Sequence, residues 1–168
     1  LIARVKAAAR DVSEAFEDGL ATAEVTMDEL ITTEYRPIDG TNPVQYDTTA
    51  LAFYERVLPP ILDEHRSGDP TPLFVLPQDR NAFCPVHHPE LSKPQRAGMV
   101  DWNDLNSRNR RLLDRWQTLI GARNANPHNI RVYIRHQPDG AAIPILMISC
   151  PVFLKGALWG NVQMGFHF

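Results

Sequence analysis

Arginines that alternate with a tyrosine along one segment give this sequence its most evident binding chemistry. Arg131, Tyr133 and Arg135 are spaced two residues apart in a stretch typical of a β-strand, so their side chains share one face. A guanidinium fork binds both oxygens of a carboxylate, and a phenol hydroxyl adds another hydrogen bond. Spacing alone leaves two interpretations open: an anion-binding site, or a solvated face whose arginines pair with nearby Asp and Glu. A second group of arginines crowds one turn of a predicted helix: Arg108, Arg110 and Arg111.

The histidines and cysteines do not show the spacing of a metal site. His87 and His88 are adjacent, so on an extended chain they point to opposite faces. Cys84 lies close enough in sequence for a His–Cys metal site to stay open as an alternative. The segment that starts at Cys84 lacks the second cysteine of a haem attachment motif. We expect neither a bound metal nor a cofactor.

No catalytic motif is recognisable in the sequence. It has no nucleophile elbow, no P-loop and no dinucleotide fingerprint. Acidic residues near the arginines, such as Asp101, Asp104 and Asp114, are typical of surface or helix-capping groups. We therefore predict that the chain is not an enzyme.

Length and charge indicate one globular domain with no affinity for nucleic acid. The chain has 168 residues, 43% of them hydrophobic, and 17 basic against 20 acidic side chains, a net charge of −3. No basic face is indicated, which argues against nucleic acid as a partner. No stretch approaches the roughly 20 apolar residues of a membrane span, and no signal-peptide pattern opens the chain. Because it starts at Leu1 rather than Met and stops inside a predicted strand, we expect a domain excised from a longer protein.

Three helices are predicted. In residues 1–36 the apolar positions recur at steps of mostly three, four or seven, which predicts one long amphipathic helix. Residues 47–49 supply N-cap candidates for a second helix, which Pro59-Pro60 must kink or restart. A third helix is expected to begin at residues 101–103 and to close at Gly121. Four of its apolar residues are expected to face inward: Leu105, Leu112, Trp116 and Leu119.

Five strands are predicted between and after these helices. A short apolar strand at 73–76 is followed by 81–84, which can pair with it across a polar turn. Three longer segments, 130–136, 143–153 and 158–168, form an antiparallel meander. Two turn signals join them: Pro138-Asp-Gly140 and Lys155-Gly156. The order of elements predicts an α+β fold in which a five-stranded antiparallel sheet packs on the long N-terminal helix.

Five segments, in one order between residues 37 and 162, carry a resemblance to a known family. They read PIDGTNPVQY from Pro37, HHPELSKPQ from His87, SRNRRLLDR from Ser107, YIR from Tyr133 and PVFLKGALWGNV from Pro151. Together they resemble the extracytoplasmic sensor domain of bacterial methyl-accepting chemotaxis proteins, of the single Cache or PAS-like kind. The chain departs from the family pattern where a ligand would be read, at His88, Ser107 and His136. The identity of the ligand therefore does not carry over.

The resemblance implies an architecture and a binding role. A PAS-like five-stranded antiparallel sheet and a sensor core over 37–168 would follow a helix over 1–36 that continues from a membrane span. The pocket would hold a small molecule, such as an organic anion, and the residues that match the family's motifs would line it: Tyr133, Arg135, Arg108, Arg111, His87 and Ser92. The domain would be the periplasmic part of an inner-membrane chemoreceptor, homodimeric in the full-length protein, and would signal through its N-terminal helix. Two alternatives stay open: the sensor domain of a histidine kinase or cyclase, and a small periplasmic metal enzyme.

Two further expectations follow from such a sheet. Cys84 and Cys150 would lie on strands that are not neighbours, whereas a disulfide needs Cα atoms within about 7 Å, so both thiols should be free. Trp159 lies in an apolar strand beside Gly160, which allows close backbone approach. We therefore expect Trp159 to lie in the core and not at the ligand site.

Overall fold

A computed structural model describes residues 1–68, 70–113, 116–136 and 140–168 of the chain. In chain order the helices are α1 (Ile2–Ala21), α2 (Met27–Leu30), α3 (Leu51–Arg66), α4 (Val100–Asn106) and α5 (Trp116–Ala122). The strands are β1 (Arg36–Pro37), β2 (Tyr46–Asp47), β3 (Phe74–Asp79), β4 (Phe83–Cys84), β5 (Arg111–Leu112), β6 (Asn129–His136), β7 (Ala142–Leu154) and β8 (Ala157–His167). None of the described helices is long and apolar enough to cross a membrane.

The last three strands form the predicted meander, and β3 adds a fourth strand beside β8. The order across this antiparallel sheet is β3-β8-β7-β6. Lys155 and Gly156 make the turn from β7 to β8, with φ angles of 48° and 83° that suit a two-residue hairpin. The other predicted turn, at Pro138 and Asp139, lies outside the described residues. The α+β class and the antiparallel meander are therefore confirmed.

The segment predicted as a fifth strand is not part of this sheet. Residues 81–84 do not return along β3; β4 pairs with β5 instead, so the main sheet of the described residues has four strands. The carboxylate of Asp79 explains the difference. Its Oδ1 accepts the backbone N–H groups two and four residues further on, at 2.8 and 2.9 Å. These bonds stabilise a turn in which Ala82 has a φ of 63° and the chain leaves the β3 ladder.

The N-terminal helix is shorter than predicted. Its expected span of 1–36 is wrong, because α1 ends at Ala21. Ala23 has a left-handed φ of 57°, which a continuing α-helix does not accommodate. Thr26 then begins α2 with a capping box, in which its hydroxyl accepts the N–H of Glu29 and the Glu29 carboxylate accepts the N–H of Thr26.

The second helix, α3, does not restart at its two prolines. It includes Pro59 and Pro60, and its N-cap is Ala50 rather than one of residues 47–49. Leu58 and Leu62 flank the prolines and are buried in the same hydrophobic cluster as α1. Packing of this apolar face therefore offsets the two missing N–H donors.

The predicted third helix is in fact two short helices. β5 separates α4 from α5, directly after Arg110 with its left-handed φ of 58°. Leu105 and Trp116 do not face inward, because their side chains are 49% and 71% exposed. Gly121 does not close a helix but lies within α5.

The main hydrophobic core lies between α1, α3 and one face of the sheet. Trp159 is 1% exposed; its Nε1–H donates to the Tyr54 hydroxyl at 3.1 Å, and its ring meets Phe16 edge-on with centroids 4.9 Å apart. The expectation that Trp159 is a core residue is confirmed. Cys84 and Cys150 are buried free thiols, as expected. A second, smaller cluster covers the opposite face of the sheet: Phe74, Leu76, Cys84, Ile145 and Met147.

Replacing Trp159 by Ala should lower the free energy of unfolding by about 3–5 kcal/mol, because the substitution empties part of a packed core. The matched control is Trp116→Ala, which truncates an exposed indole and should change stability by less than about 0.5 kcal/mol. Denaturant unfolding followed by circular dichroism measures both variants. Equal losses of stability would contradict the difference in burial.

Asp79 makes the stability of the fold depend on pH. Burial raises its pKa from an ordinary 3.8 to about 6, although a hydrogen bond of 2.5 Å from the Tyr35 hydroxyl and two from backbone N–H groups oppose the shift. A pKa that is higher in the folded state means that the folded protein binds the proton more tightly. The stability contributed by this group is therefore fully present below pH 3.8 and is lost as the pH rises through the folded-state value.

Asp79→Asn should gain stability relative to wild type as the pH rises. We expect the difference between their free energies of unfolding to change by about 2–3 kcal/mol between about pH 4 and about pH 7, measured by denaturant unfolding. Asp39→Asn removes a carboxylate from an exposed turn and controls for the loss of one charge. Parallel curves for Asp79→Asn and wild type would show that ionisation of Asp79 does not oppose folding.

Candidate functional site

The candidate site lies on the sheet face that α1 does not cover. Tyr133 and Arg135 project from β6 on this side, and Tyr133 packs on the second hydrophobic cluster. Arg135 donates from Nη2 to the Tyr133 hydroxyl oxygen at 3.0 Å. Its guanidinium carbon lies 5.5 Å from the centroid of the Phe74 ring, a cation–π contact. Because both strand residues are half-buried, they are held in place and still reachable from solvent.

The segment from residue 80 to residue 113 brings two further arginines to this face. Arg111 lies in β5 opposite Cys84, and its Nη2 pairs with Asp104 Oδ1 at 2.9 Å. Arg108 lies close enough to Arg111 and Arg135 for their charges to act on it. We call the four residues of this group the arginine site: Arg108, Arg111, Tyr133 and Arg135.

Among the residues that the structure describes, positive charge exceeds negative charge at the arginine site. Burial lowers the pKa of Arg108, and the positive charges of Arg111 and Arg135 lower it further, while Asp104 opposes the shift. Within the described part of the chain, no side chain hydrogen-bonds to the Arg108 guanidinium, and Nη1 of Arg111 is buried without a partner. Among the described residues, Arg111 is therefore the one of the three arginines whose guanidinium is paired with a carboxylate, that of Asp104. Such a group favours a bound anion, because a buried charge without a partner is costly.

Arg110, the remaining arginine of the predicted cluster, does not belong to the site. Its left-handed backbone turns the side chain toward α3, where Nε donates to Glu55 Oε1 at 2.7 Å. Arg131 shares the strand face of Tyr133 but lies at the start of β6. The structure therefore brings one part of each predicted arginine group into the site and leaves the other part outside. Arg110 and Arg131 are the two that lie outside it.

Two adjacent buried histidines follow β4, and the first of them, His87, lies next to the arginine site. The N–H of Val75 donates to Nε2 of His88 at 2.9 Å, which places the His88 proton on Nδ1. The N–H of His88 donates to Nδ1 of His87 at 2.8 Å, which places the His87 proton on Nε2. Burial lowers the pKa of both rings, and for His87 the nearby positive charges, including Arg108, lower it further.

The six predicted ligand residues do not meet in one pocket. Four form the arginine site, whereas His87 and Ser92 line a separate cavity of about 220 Å³ beside α3. His87 lines this cavity and also lies close enough to Arg108 and Arg135 for their charges to act on it. The Ser92 hydroxyl donates to the backbone oxygen of His87 at 3.0 Å, so it stabilises the loop.

Sequence reasoning missed two residues that shape this region. Asp104 was expected at the surface or at a helix cap, but it neutralises Arg111 from seven positions away. His88 was considered as a metal-ligand candidate and as a departure from the family pattern, but not as a structural residue; it is 1% exposed and accepts the backbone N–H of Val75 in β3. Its place among prolines and valine at 85–89, in an otherwise apolar stretch, is the signal that could have indicated burial.

Buried amides lie on the same sheet face, toward α5. Gln78 and Asn161 are opposite each other on β3 and β8, and neither is exposed. Gln163 donates from Nε2 to Gln78 Oε1 at 2.6 Å. Gln78 Nε2 and both polar atoms of the Asn161 side chain have no hydrogen-bond partner among the described protein atoms. The face is therefore cationic at the arginine site, apolar in the middle and rich in amides near α5.

Comparisons with known proteins assign no family to this chain. Protein-family models, curated proteins and solved structures were searched, and none matches it. In the described ranges, no group of three or more His, Cys, Asp or Glu side chains is arranged to hold a metal ion. Function must therefore follow from the charges and hydrogen bonds of the site itself.

Asp104→Asn should destabilise the protein, because it leaves three neighbouring guanidiniums without a carboxylate. Nearly half of the Asp104 side chain is exposed, so solvent screening limits the expected loss to about 1–2 kcal/mol of unfolding free energy. Excess acetate should restore part of that loss. Asp101→Asn, an exposed carboxylate of the same helix, is the control for denaturant unfolding with and without acetate. Equal behaviour of the two variants would contradict an electrostatic role for Asp104.

Proposed function

We propose that this chain is the periplasmic ligand-sensing domain of a transmembrane chemoreceptor and that it binds a small organic carboxylate at the arginine site. The excess of buried positive charge carries the proposal. In the described part of the chain, the Asp104 carboxylate pairs with Arg111 and its charge also acts on Arg108, and a bound carboxylate would supply further negative charge to the three arginines. The residue types also match, because guanidinium forks and a phenol hydroxyl are donors suited to carboxylate oxygens.

The geometry gives the ligand two walls. Arg135 and Tyr133 would contact it from the sheet; the Tyr133 oxygen accepts from Arg135, so its own hydrogen is free to be donated to a ligand. Arg108 and Arg111 would contact it from the covering segment. The PAS-like part of the fold expectation belongs to this proposal as well.

The signal would pass through the sheet to α1. Ser13 donates to the backbone oxygen of Phe153 at 2.7 Å, and the Glu17 carboxylate accepts the N–H of Lys155 at 3.3 Å, both close to the β7–β8 turn. β8 has Gln163 on the site face and Val162 in the α1 core. A ligand with different affinities for two strand arrangements would therefore bias the position of α1. In the full-length homodimer, α1 would lead to a membrane span of the parent protein.

Calorimetry on the purified domain tests the binding step, after a thermal-shift screen of organic acids has chosen the ligand. Arg135→Lys retains the charge but loses the fork, and should weaken binding by about 1–3 kcal/mol, roughly 5- to 150-fold. Arg131→Ala is the matched control on the same strand face and should have a smaller effect, since it lies beside the 124–129 loop.

Two results would count against this assignment. If Arg131→Ala abolishes binding while Arg135→Lys binds like wild type, the pocket lies at the other end of β6. The second result has two parts: no organic acid raises the melting temperature, and replacing the arginines by methionine causes no loss of stability. Together these would show that the excess positive charge of the arginine site does not bind a ligand.

A further inference from the structure

The carboxylate that pairs with Arg111 lies where the arginine site meets solvent. Asp104 Oδ1 is 2.9 Å from Arg111 Nη2, and 43% of the Asp104 side chain is exposed, against 13% of the Arg111 side chain. The carboxylate therefore approaches a largely buried guanidinium from the solvent side. Its charge also acts on Arg108, the neighbouring cation of the site. The position of Asp104 is thus one that a carboxylate reaches from solution.

The helix that carries Asp104 is held in place by a different residue. Asn103 is 2% exposed, and its Nδ2 donates to the backbone oxygens of Asn42 and Arg96 at 2.9 and 3.0 Å. Its Oδ1 accepts the N–H of Arg96 at 2.8 Å. None of these bonds involves Asp104, whose one ion pair in the described part of the chain is with Arg111. Rotation of the Asp104 side chain can therefore release Arg111 while α4 stays where it is.

Release of Asp104 leaves its two partners in different situations. The freed carboxylate is close to solvent and is hydrated there, whereas Arg111 is nearly buried and its Nη1 already lacks a partner among the described protein atoms. Arg111 therefore needs a replacement anion more than Asp104 needs a replacement cation. Two carboxylates at one guanidinium nitrogen repel each other, so a carboxylate ligand and Asp104 exclude each other at Nη2.

We propose that Asp104 is an internal competitor of the ligand: its carboxylate occupies Arg111 when the site is empty, and the carboxylate of the ligand displaces it. This inference rests on the proposed binding of a carboxylate at the arginine site. The apparent affinity then depends on the fraction of molecules in which Arg111 is released. An uncharged molecule of the same shape does not displace Asp104, so the competition also selects for an anionic ligand.

Acetate is the probe, titrated into the ¹³C,¹⁵N-labelled domain at constant ionic strength and followed by NMR. The carboxyl-carbon signal of Asp104 and the Nε signal of Arg135 should shift together and saturate with the same Kd. The side-chain amide signals of Asn103 should stay in place, because α4 does not move. Acetamide, which has the shape of acetate without its charge, should cause no saturable shift. These measurements use the wild-type protein and so do not depend on the folding of a variant.

Two variants of α4 separate direct competition from the net charge of the helix. Asp104→Asn removes the competitor and should bind acetate about two- to fivefold more tightly than wild type. Asp101→Asn removes an exposed carboxylate one turn earlier on the same helix and should leave the affinity unchanged.

The outcomes distinguish this inference from the proposed function. If wild type binds acetate but the Asp104 signal does not shift with that of Arg135, there is no displacement and only the competition is overturned. The same holds if Asp104→Asn binds acetate no more tightly than wild type, or if both variants gain affinity equally. If acetate causes no saturable shift at Arg135 in either wild type or Asp104→Asn, the competition and the binding of a carboxylate at the arginine site are both overturned.

Discussion

The hydrogen bonds of the Asp79 carboxylate decide where the chain leaves the sheet, and the arginine site depends on that exit. One oxygen accepts two backbone N–H groups of the following turn, and the other accepts the Tyr35 hydroxyl. After this turn the chain crosses the sheet face that α1 leaves uncovered, carrying the histidines and then Arg108 and Arg111. A strand that continued along β3 would have placed these side chains beside the sheet edge, away from Arg135. The raised pKa of Asp79 shows that this arrangement has a cost in desolvation.

A neutral histidine, His87, lies beside the arginine site. The positive charges of Arg108 and Arg135 both act on His87. Burial and these cations keep the pKa of His87 low, so the ring does not add a further positive charge to the arginine site. The backbone bond from His88 fixes its tautomer as well.

Local patterns predicted more of this fold than of its site. The two-residue spacing of Tyr133 and Arg135 and the Lys155-Gly156 turn are local signals, and both appear as expected in the meander. The predicted ends of the helices were wrong, because Ala23 and Arg110 adopt left-handed backbone angles that their residue types do not indicate. Pairing across the chain, such as β4 with β5, has no local signature either. Arg108 and Arg111 come close to Arg135 through those same non-local pairings. The spacing in the sequence therefore identified the arginines as candidates but could not show that they lie together.

The two cysteines give the protein a practical property that follows from their burial. Cys84 and Cys150 are 0% and 1% exposed, and burial raises the pKa of their thiols to about 12 and about 11. The thiolate is the form that reacts with maleimides, so neither sulfur is reactive while the chain is folded. A cysteine introduced on the exposed side of α1 would therefore take a fluorophore or spin label without removal of the native pair. Movements of that helix can be recorded in the otherwise unmodified domain.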